Sequence, residues 1–239
     1  MMHHKEEFRT LIKVLKKLKL KKKQLHLHEP FFDNIEKEYL NKCISSTFVS
    51  TAGTFISDFE KKILDYTKSK YAIAVNSGTS ALHIALESVG SNSKCEVMVP
   101  AVTFVGTVNA ILYTKATPHF IDCCENNPNI DVDKLKKYLK KNFYIKNKKC
   151  YNRQSNKILK AIVPVHVFGH SIDVDKLKKL AKDFHIYLIE DAAEAIGSFY
   201  NKKHLGTIGD IGILSFNGNK TITTGIWRYD FNKVKKALC

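Results

Sequence analysis

Short apolar runs alternate with helix-length amphipathic segments along most of this chain, and no other feature constrains its fold as tightly. Apolar runs at residues 71–75, 96–99, 117–121, 160–167 and 186–189 read as strands. Helical spacing fills the intervals at residues 33–41, 54–68, 81–89, 104–113, 131–141 and 173–184. In the second of these, Phe55, Ile56, Phe59, Ile63 and Leu64 fall on one side of the helix. Strands separated by whole helices are joined by crossovers, not by hairpins, and crossovers make parallel pairs. The predicted fold is therefore α/β, a three-layer α/β/α arrangement with a mostly parallel central sheet covered on both faces. Residues 142–157 are polar, basic and poorly periodic, and read as an excursion from the sheet.

Open sheets of this kind bind ligands beyond the carboxyl ends of their strands, and four motifs lie there. Asn76-Ser77-Gly78-Thr79-Ser80 leads a strand into a helix. Its small residues, hydroxyls and helix N-terminus suit a phosphate, and equally an ordinary N-cap. It is neither a G-x-G-x-x-G nor a Walker A loop, so it indicates neither a dinucleotide nor ATP. Pro100-Ala101-Val102-Thr103-Phe104 ends in an aromatic that can stack on a planar ring or fill a core. In Ile189-Glu190-Asp191-Ala192-Ala193-Glu194 an apolar strand delivers two acids. They either cap a helix or neutralise a buried cation, because an unpaired buried carboxylate is costly. Finally, Ile211-Gly212-Ile213-Leu214-Ser215-Phe216 runs to Lys220, a lysine at the end of an apolar segment and suited to imine formation. Ser215, five residues earlier, is within reach of a phosphate.

The formal charge is +16 over 239 residues. Residues 1–25 hold nine Lys/Arg and two Glu, a net +7. There Phe8, Leu11, Ile12, Leu15 and Leu18 mark one apolar side of a basic amphipathic helix, read as an N-terminal extension. Only Arg9, Arg153 and Arg228 are arginines. Base readout and bidentate phosphate contacts favour arginine, so the charge argues for a solvated lysine surface and against a nucleic-acid partner. No run approaches the roughly 18 apolar residues of a membrane span. Cys43, Cys95, Cys123, Cys124, Cys150 and Cys239 lack C-x-x-C spacing and read as reduced thiols of a cytoplasmic protein, with Cys123 and Cys124 packed at a strand end. His166 and His170 are separated by Gly169 and follow Pro164, which argues against a helical zinc pair.

The four motifs, in this order, resemble the DegT/DnrJ/EryC1/StrS sugar aminotransferases from about Leu27 to Gly225. Within the family the chain most resembles the nucleotide-sugar 4-aminotransferases of legionaminic-acid-type synthesis, as Leu27-His28-Glu29-Pro30, Pro164-Val165-His166-Val167-Phe168-Gly169-His170 and Ser215-Phe216-Asn217-Gly218-Asn219-Lys220 suggest. The resemblance implies a fold-type-I pyridoxal 5′-phosphate enzyme with an aspartate-aminotransferase-like large domain over residues 26–225. It implies Lys220 as the Schiff-base lysine and proton shuttle, Asp191 at the pyridine nitrogen, Glu194 on the ring-hydroxyl side and Phe104 stacked on the ring. Gly78, Thr79, Ser80 and Ser215 would hold the phosphate, and Thr51 and His166 would line the substrate pocket. The implied reaction moves an amino group from glutamate to a UDP-linked 4-keto-6-deoxy-N-acetylhexosamine, in surface polysaccharide or nonulosonic acid synthesis, by a homodimer. A same-fold dehydratase would carry histidine in place of Lys220. After Gly225 the resemblance stops, and residues 226–239 read as an aberrant tail where the family continues into a small domain. The expectation is a complete set of motifs with weak or absent turnover, the alternative being an inactive remnant or a basic binding module.

Overall fold

A computed structural model describes residues 2–17, 29–48, 53–224 and 228–232. Leu18, Lys21–Lys23, Leu27, His28, Thr51, residues 225–227 and residues 233–239 lie outside the described residues. The chain begins with α1 (Met2–Lys17), α2 (Asn34–Ser45) and α3 (Thr54–Thr67). There follow β1 (Ile73–Val75), α4 (Gly78–Ser88), β2 (Cys95–Pro100), α5 (Val105–Tyr113), β3 (Thr117–Ile121) and α6 (Val132–Asn142). The second half runs β4 (Phe143–Lys146), β5 (Lys149–Asn152), β6 (Ile158–Ile162), α7 (Val174–Asp183) and β7 (Tyr187–Asp191). It closes with β8 (Phe199–Tyr200), β9 (Lys203–His204), β10 (Ile211–Ser215) and β11 (Arg228–Asn232).

The main sheet has the order β1-β11-β10-β7-β6-β2-β3. From β10 to β3 all pairs are parallel, while β11 is antiparallel to both β1 and β10. The parallel block matches the predicted crossover architecture. Residues 142–157 depart from expectation: the excursion is a hairpin, β4 with β5, and β5 pairs antiparallel with β6. Its strands are only four residues each, and their polarity does not follow burial: three apolar residues run together in β4 and Asn152 of β5 is buried, so no period-two pattern marks them. Part of the segment read as a tail supplies β11.

The two cores show why the layers number three. Met98, Leu159, Ile162, Leu188 and Leu214 pack with Ile63 of α3, Leu135 and Leu139 of α6 and Leu177 and Leu180 of α7. Val97, Val99, Ala161, Ile189, Ile211 and Ile213 pack instead with Ala81, Leu82, Ala85 and Leu86 of α4 and Ala110 and Ile111 of α5. Successive side chains of a strand point to opposite faces, so each central strand feeds both cores. That is why β2 is buried along its whole length. No described helix is long and apolar enough to cross a membrane. The apolar Leu11, Ile12, Val14 and Leu15 of α1 are exposed.

Gly212 of β10 marks a close approach on which the site depends. A Cβ there would overlap the backbone of Gly206, in the loop that crosses over β10. Backbone cannot yield as a flexible side chain can, so we expect Gly212→Ala to lower the unfolding free energy by about 3 kcal/mol, measured by urea denaturation. An unchanged midpoint would show that the 206–209 loop is free to move.

Candidate active site

Two neighbouring residues at the end of β7 point to opposite sides of the sheet. Asp191 is buried, and its Oδ2 accepts a 2.6 Å hydrogen bond from the Thr107 hydroxyl while Oδ1 accepts from the Ala193 N–H at 3.2 Å. Burial pushes its carboxyl above the ordinary aspartate range; the Thr107 and Ala193 hydrogen bonds and the positive charge of Lys220 only partly oppose this. An acid in this state is stabilised by a cation placed against it.

Glu190 is fully buried and takes the opposite course. Its Oε2 lies 3.0 Å from His166 Nε2 and accepts from the Gly206 N–H at 3.1 Å, while Oε1 accepts from Ile208 at 2.7 Å and from Gly209. Burial raises its pKa, yet the His166 contact and the backbone donors outweigh that and hold the carboxyl below its usual range. No helix follows β7, so neither acid is the helix cap that the residues alone allowed. Glu190 instead ties β7 to the 206–209 loop and to the segment after β6.

His166 is also fully buried, and its Nδ1 has no hydrogen-bond partner among the described residues. It lines a cavity of about 250 Å³ together with Gly78, Thr79, Phe104, Asp191, Glu194 and Lys220. The fold thus brings seven of the ten sequence-predicted site residues around one space at the carboxyl ends of the strands. Ser80 and Ser215 are not among its lining residues. Ser77 caps α4 by accepting from the Ser80 N–H at 3.0 Å, and the two hydroxyls lie 2.8 Å apart. The Ser215 hydroxyl is buried without a partner among the described residues. Thr51 lies outside the described residues.

Lys220 and Glu194 meet at the cavity mouth. Lys220 Nζ donates to Glu194 Oε1 at 3.0 Å and stands 5.9 Å from the centre of the Phe104 ring. The other Glu194 oxygen accepts from the Phe168 N–H at 3.0 Å. Phe168 has φ 51° and ψ 28°, a left-handed conformation that costs a bulky residue about 1–2 kcal/mol. Such strain gathers where a rim must be held in one shape. Phe104 is 65% exposed, which removes the reading of it as a core residue. Cys123 and Cys124 are half-buried after β3, not enclosed.

Thr107 and Gly106 escaped the sequence reading. A Cβ at Gly106 would sit 2.8 Å from the Thr79 hydroxyl and 3.0 Å from the Phe104 ring. Glycine here lets the α4 N-terminus and the aromatic share one wall. The only sequence signal is Gly106-Thr107 just inside a predicted helix, where glycine costs about 1 kcal/mol against alanine and so suggests a packing reason.

A second cleft of about 620 Å³ adjoins the first and shares Phe168, Glu194, Asn219 and Lys220 with it. Glu29, Pro30 and Phe31 form its far wall. Among the described residues no group of three or more His, Cys, Asp or Glu converges as a metal site.

Leaving buried hydrogen-bond groups without their charged acceptor costs about 1–3 kcal/mol or more, so Glu190→Gln, which weakens the acceptor shared by His166 and three backbone N–H groups, should destabilise the chain by about 3 kcal/mol at neutral pH. A depressed carboxyl stabilises above its unfolded pKa and loses that contribution as pH falls through the folded value. The gap between Glu190→Gln and wild type should therefore narrow below the ordinary glutamate range, as read by urea unfolding at stepped pH. For Asp191 the sign is reversed. Asp191→Asn should stabilise the cofactor-free chain increasingly as pH rises from the ordinary aspartate range through the raised pKa.

A sequence profile described as the DegT/DnrJ/EryC1/StrS aminotransferase family matches residues 31–226. The chain is 40% identical over 203 residues to GDP-perosamine synthase of Escherichia coli O157:H7, covering 85% of this chain and 51% of that protein. It is 35% identical to the UDP-4-amino-4,6-dideoxy-N-acetyl-beta-L-altrosamine transaminase of Campylobacter jejuni, covering 80% and 47%. A solved aminotransferase from Psychrobacter cryohalolentis superposes with a TM-score of 0.74 at 29% identity, over 87% of this chain and 49% of that one. The chain thus spans about half the length of the curated relatives it matches. From that match and this fold, and with a Bacillus subtilis relative 34% identical over 202 residues that is named as a putative pyridoxal phosphate-dependent aminotransferase, the chain belongs to the DegT/DnrJ/EryC1/StrS aminotransferase family, which is pyridoxal-phosphate-dependent.

Proposed function

We propose that this chain carries the cofactor site of an aminotransferase that acts on a nucleotide-linked 4-keto-6-deoxy sugar, with glutamate as amino donor, in polysaccharide synthesis. The observation that carries the proposal is Lys220, its amine 3.0 Å from Glu194, at the mouth of a cavity that also holds the buried acid Asp191 and the exposed ring of Phe104. Pyridoxal 5′-phosphate, when bound, supplies the aldehyde and the electron sink on which transamination rests.

The residues present fit that group. Asp191, whose carboxyl is raised by burial in the cofactor-free chain, gains a partner for its charge when a ring nitrogen is protonated beside it. Phe104 offers a ring face. Gly78 and Thr79 present the N-terminus of α4 and a hydroxyl to the cavity, a setting that suits a phosphate. Ser80 borders the same N-terminus, and the unpartnered Ser215 hydroxyl is a further donor for it. Lys220 is the nucleophile and the base that moves the proton, and Glu194 holds its amine in place until the cofactor arrives.

The adjoining cleft gives a sugar nucleotide its room, with His166 and the Glu29-Pro30 segment nearby. Names of relatives support the substrate class: one contains a 4-amino-4,6-dideoxy N-acetyl sugar linked to UDP, another a GDP-linked perosamine. Along α2 no residue is buried, and Phe31, Leu40 and Ile44 are exposed. An exposed apolar face suits a second copy of the chain, so we assign it to a homodimer contact.

Borohydride reduction of the chain mixed with pyridoxal 5′-phosphate should leave a pyridoxyl label on the peptide containing residue 220, and Lys220→Ala should lose it. A label spread over other lysines, or none at all, would favour a non-catalytic remnant. Turnover is read as 2-oxoglutarate formed from glutamate with GDP-linked and UDP-linked 4-keto-6-deoxy sugars in parallel.

A further inference from the structure

At the amino ends of β2, β6 and β7, across the sheet from the cavity above, lies a separate concavity of about 660 Å³. Lys94, Lys148, Lys149, Lys160, Lys178 and Lys182 converge on it, with Asp210 as its one lining acid. They come from four places in the chain: the turn after α4, the β4–β5 hairpin tip, β6, and the last two turns of α7. None of the six forms an ion pair among the described residues. Two are held in place, since Lys178 Nζ donates to the Ile208 carbonyl at 2.6 Å and Lys160 Nζ lies 5.4 Å over the Tyr187 ring.

Helix ends offset only part of this charge. The carboxyl ends of α4 and α7 border the concavity, and each contributes about half a negative charge. Setting six lysines against Asp210 and two helix ends leaves an excess of about four positive charges. Lysines at helix ends account for Lys178 and Lys182 but not for the four on loops and strands. The volume lies within the roughly 300–1,000 Å³ of small-ligand sites, and it is too confined for a duplex. Lysine binds phosphate as a compact point charge, without the bidentate fork of arginine.

We propose that this cleft is a binding site for a compact anion carrying several phosphates, separate from the cofactor cavity. Inorganic tripolyphosphate is the probe, titrated calorimetrically into the full chain. Wild type should bind it saturably at low salt and weaken as salt rises, because each lysine–phosphate contact releases counterions. Lys148→Glu with Lys149→Glu, at the exposed hairpin tip, should weaken binding about tenfold or more, while the same charge change at Lys136 and Lys137 on α6 should stay within about twofold. Equal losses in both variants would overturn the site in favour of a diffuse lysine field, and so would loss on Lys220→Ala. If the hairpin variant does not fold, Lys94→Glu repeats the comparison from a different loop. A single-stranded RNA oligomer that binds more tightly than tripolyphosphate, with the same variants weakening it, would overturn the compact-anion assignment.

Discussion

Two carboxylates buried side by side at the end of β7 are the constraint on which the rest of the site depends. A strand turns successive side chains to opposite faces, so Glu190 and Asp191 meet different surroundings. Glu190 finds enough donors to remain charged: an imidazole and three backbone N–H groups. That arrangement holds the 206–209 loop, and Gly212 lets this loop pass close over β10. Among the described residues Asp191 finds a hydroxyl and one N–H, and burial raises its pKa. One acid is held charged by the fold, and burial opposes the charge of the other. The two carboxylates have separate tasks because their partners differ, not their chemistry.

Around Asp191 the wall is assembled from elements far apart in sequence. Thr107 reaches it from α5 across 84 positions, Lys220 approaches from beyond β10, and Glu194 bridges Lys220 to the strained Phe168. The Lys220–Glu194 contact orders two long side chains, which costs conformational entropy. A clamp of this kind keeps the amine and the rim in register before any ligand arrives. Pre-organisation at that point lowers the cost of binding later.

Much of this was legible from residues alone. The crossover pattern, the strand-end position of the motifs and the acid pair were visible because periodicity and small-residue clusters are local properties. The β4–β5 hairpin was hidden, since its strands are four residues each and their polarity does not alternate with burial. Phe104 and Ser80 were ambiguous for a related reason: an aromatic or a hydroxyl at a strand end looks the same whether it faces solvent, core or cavity. Gly106 and Thr107 carried almost no signal, because their role is to touch residues some thirty and eighty positions away.

By itself the sequence determined the layer architecture and the stock of groups able to meet a phosphate, a ring and an aldehyde, because side-chain period and residue chemistry are written one segment at a time. Only the tertiary structure decided which acid is satisfied and which is not, that His166 belongs to Glu190, and that six lysines from four segments share one cleft. Those outcomes depend on distances between segments and on exclusion of water, and both arise only when the strands are laid side by side.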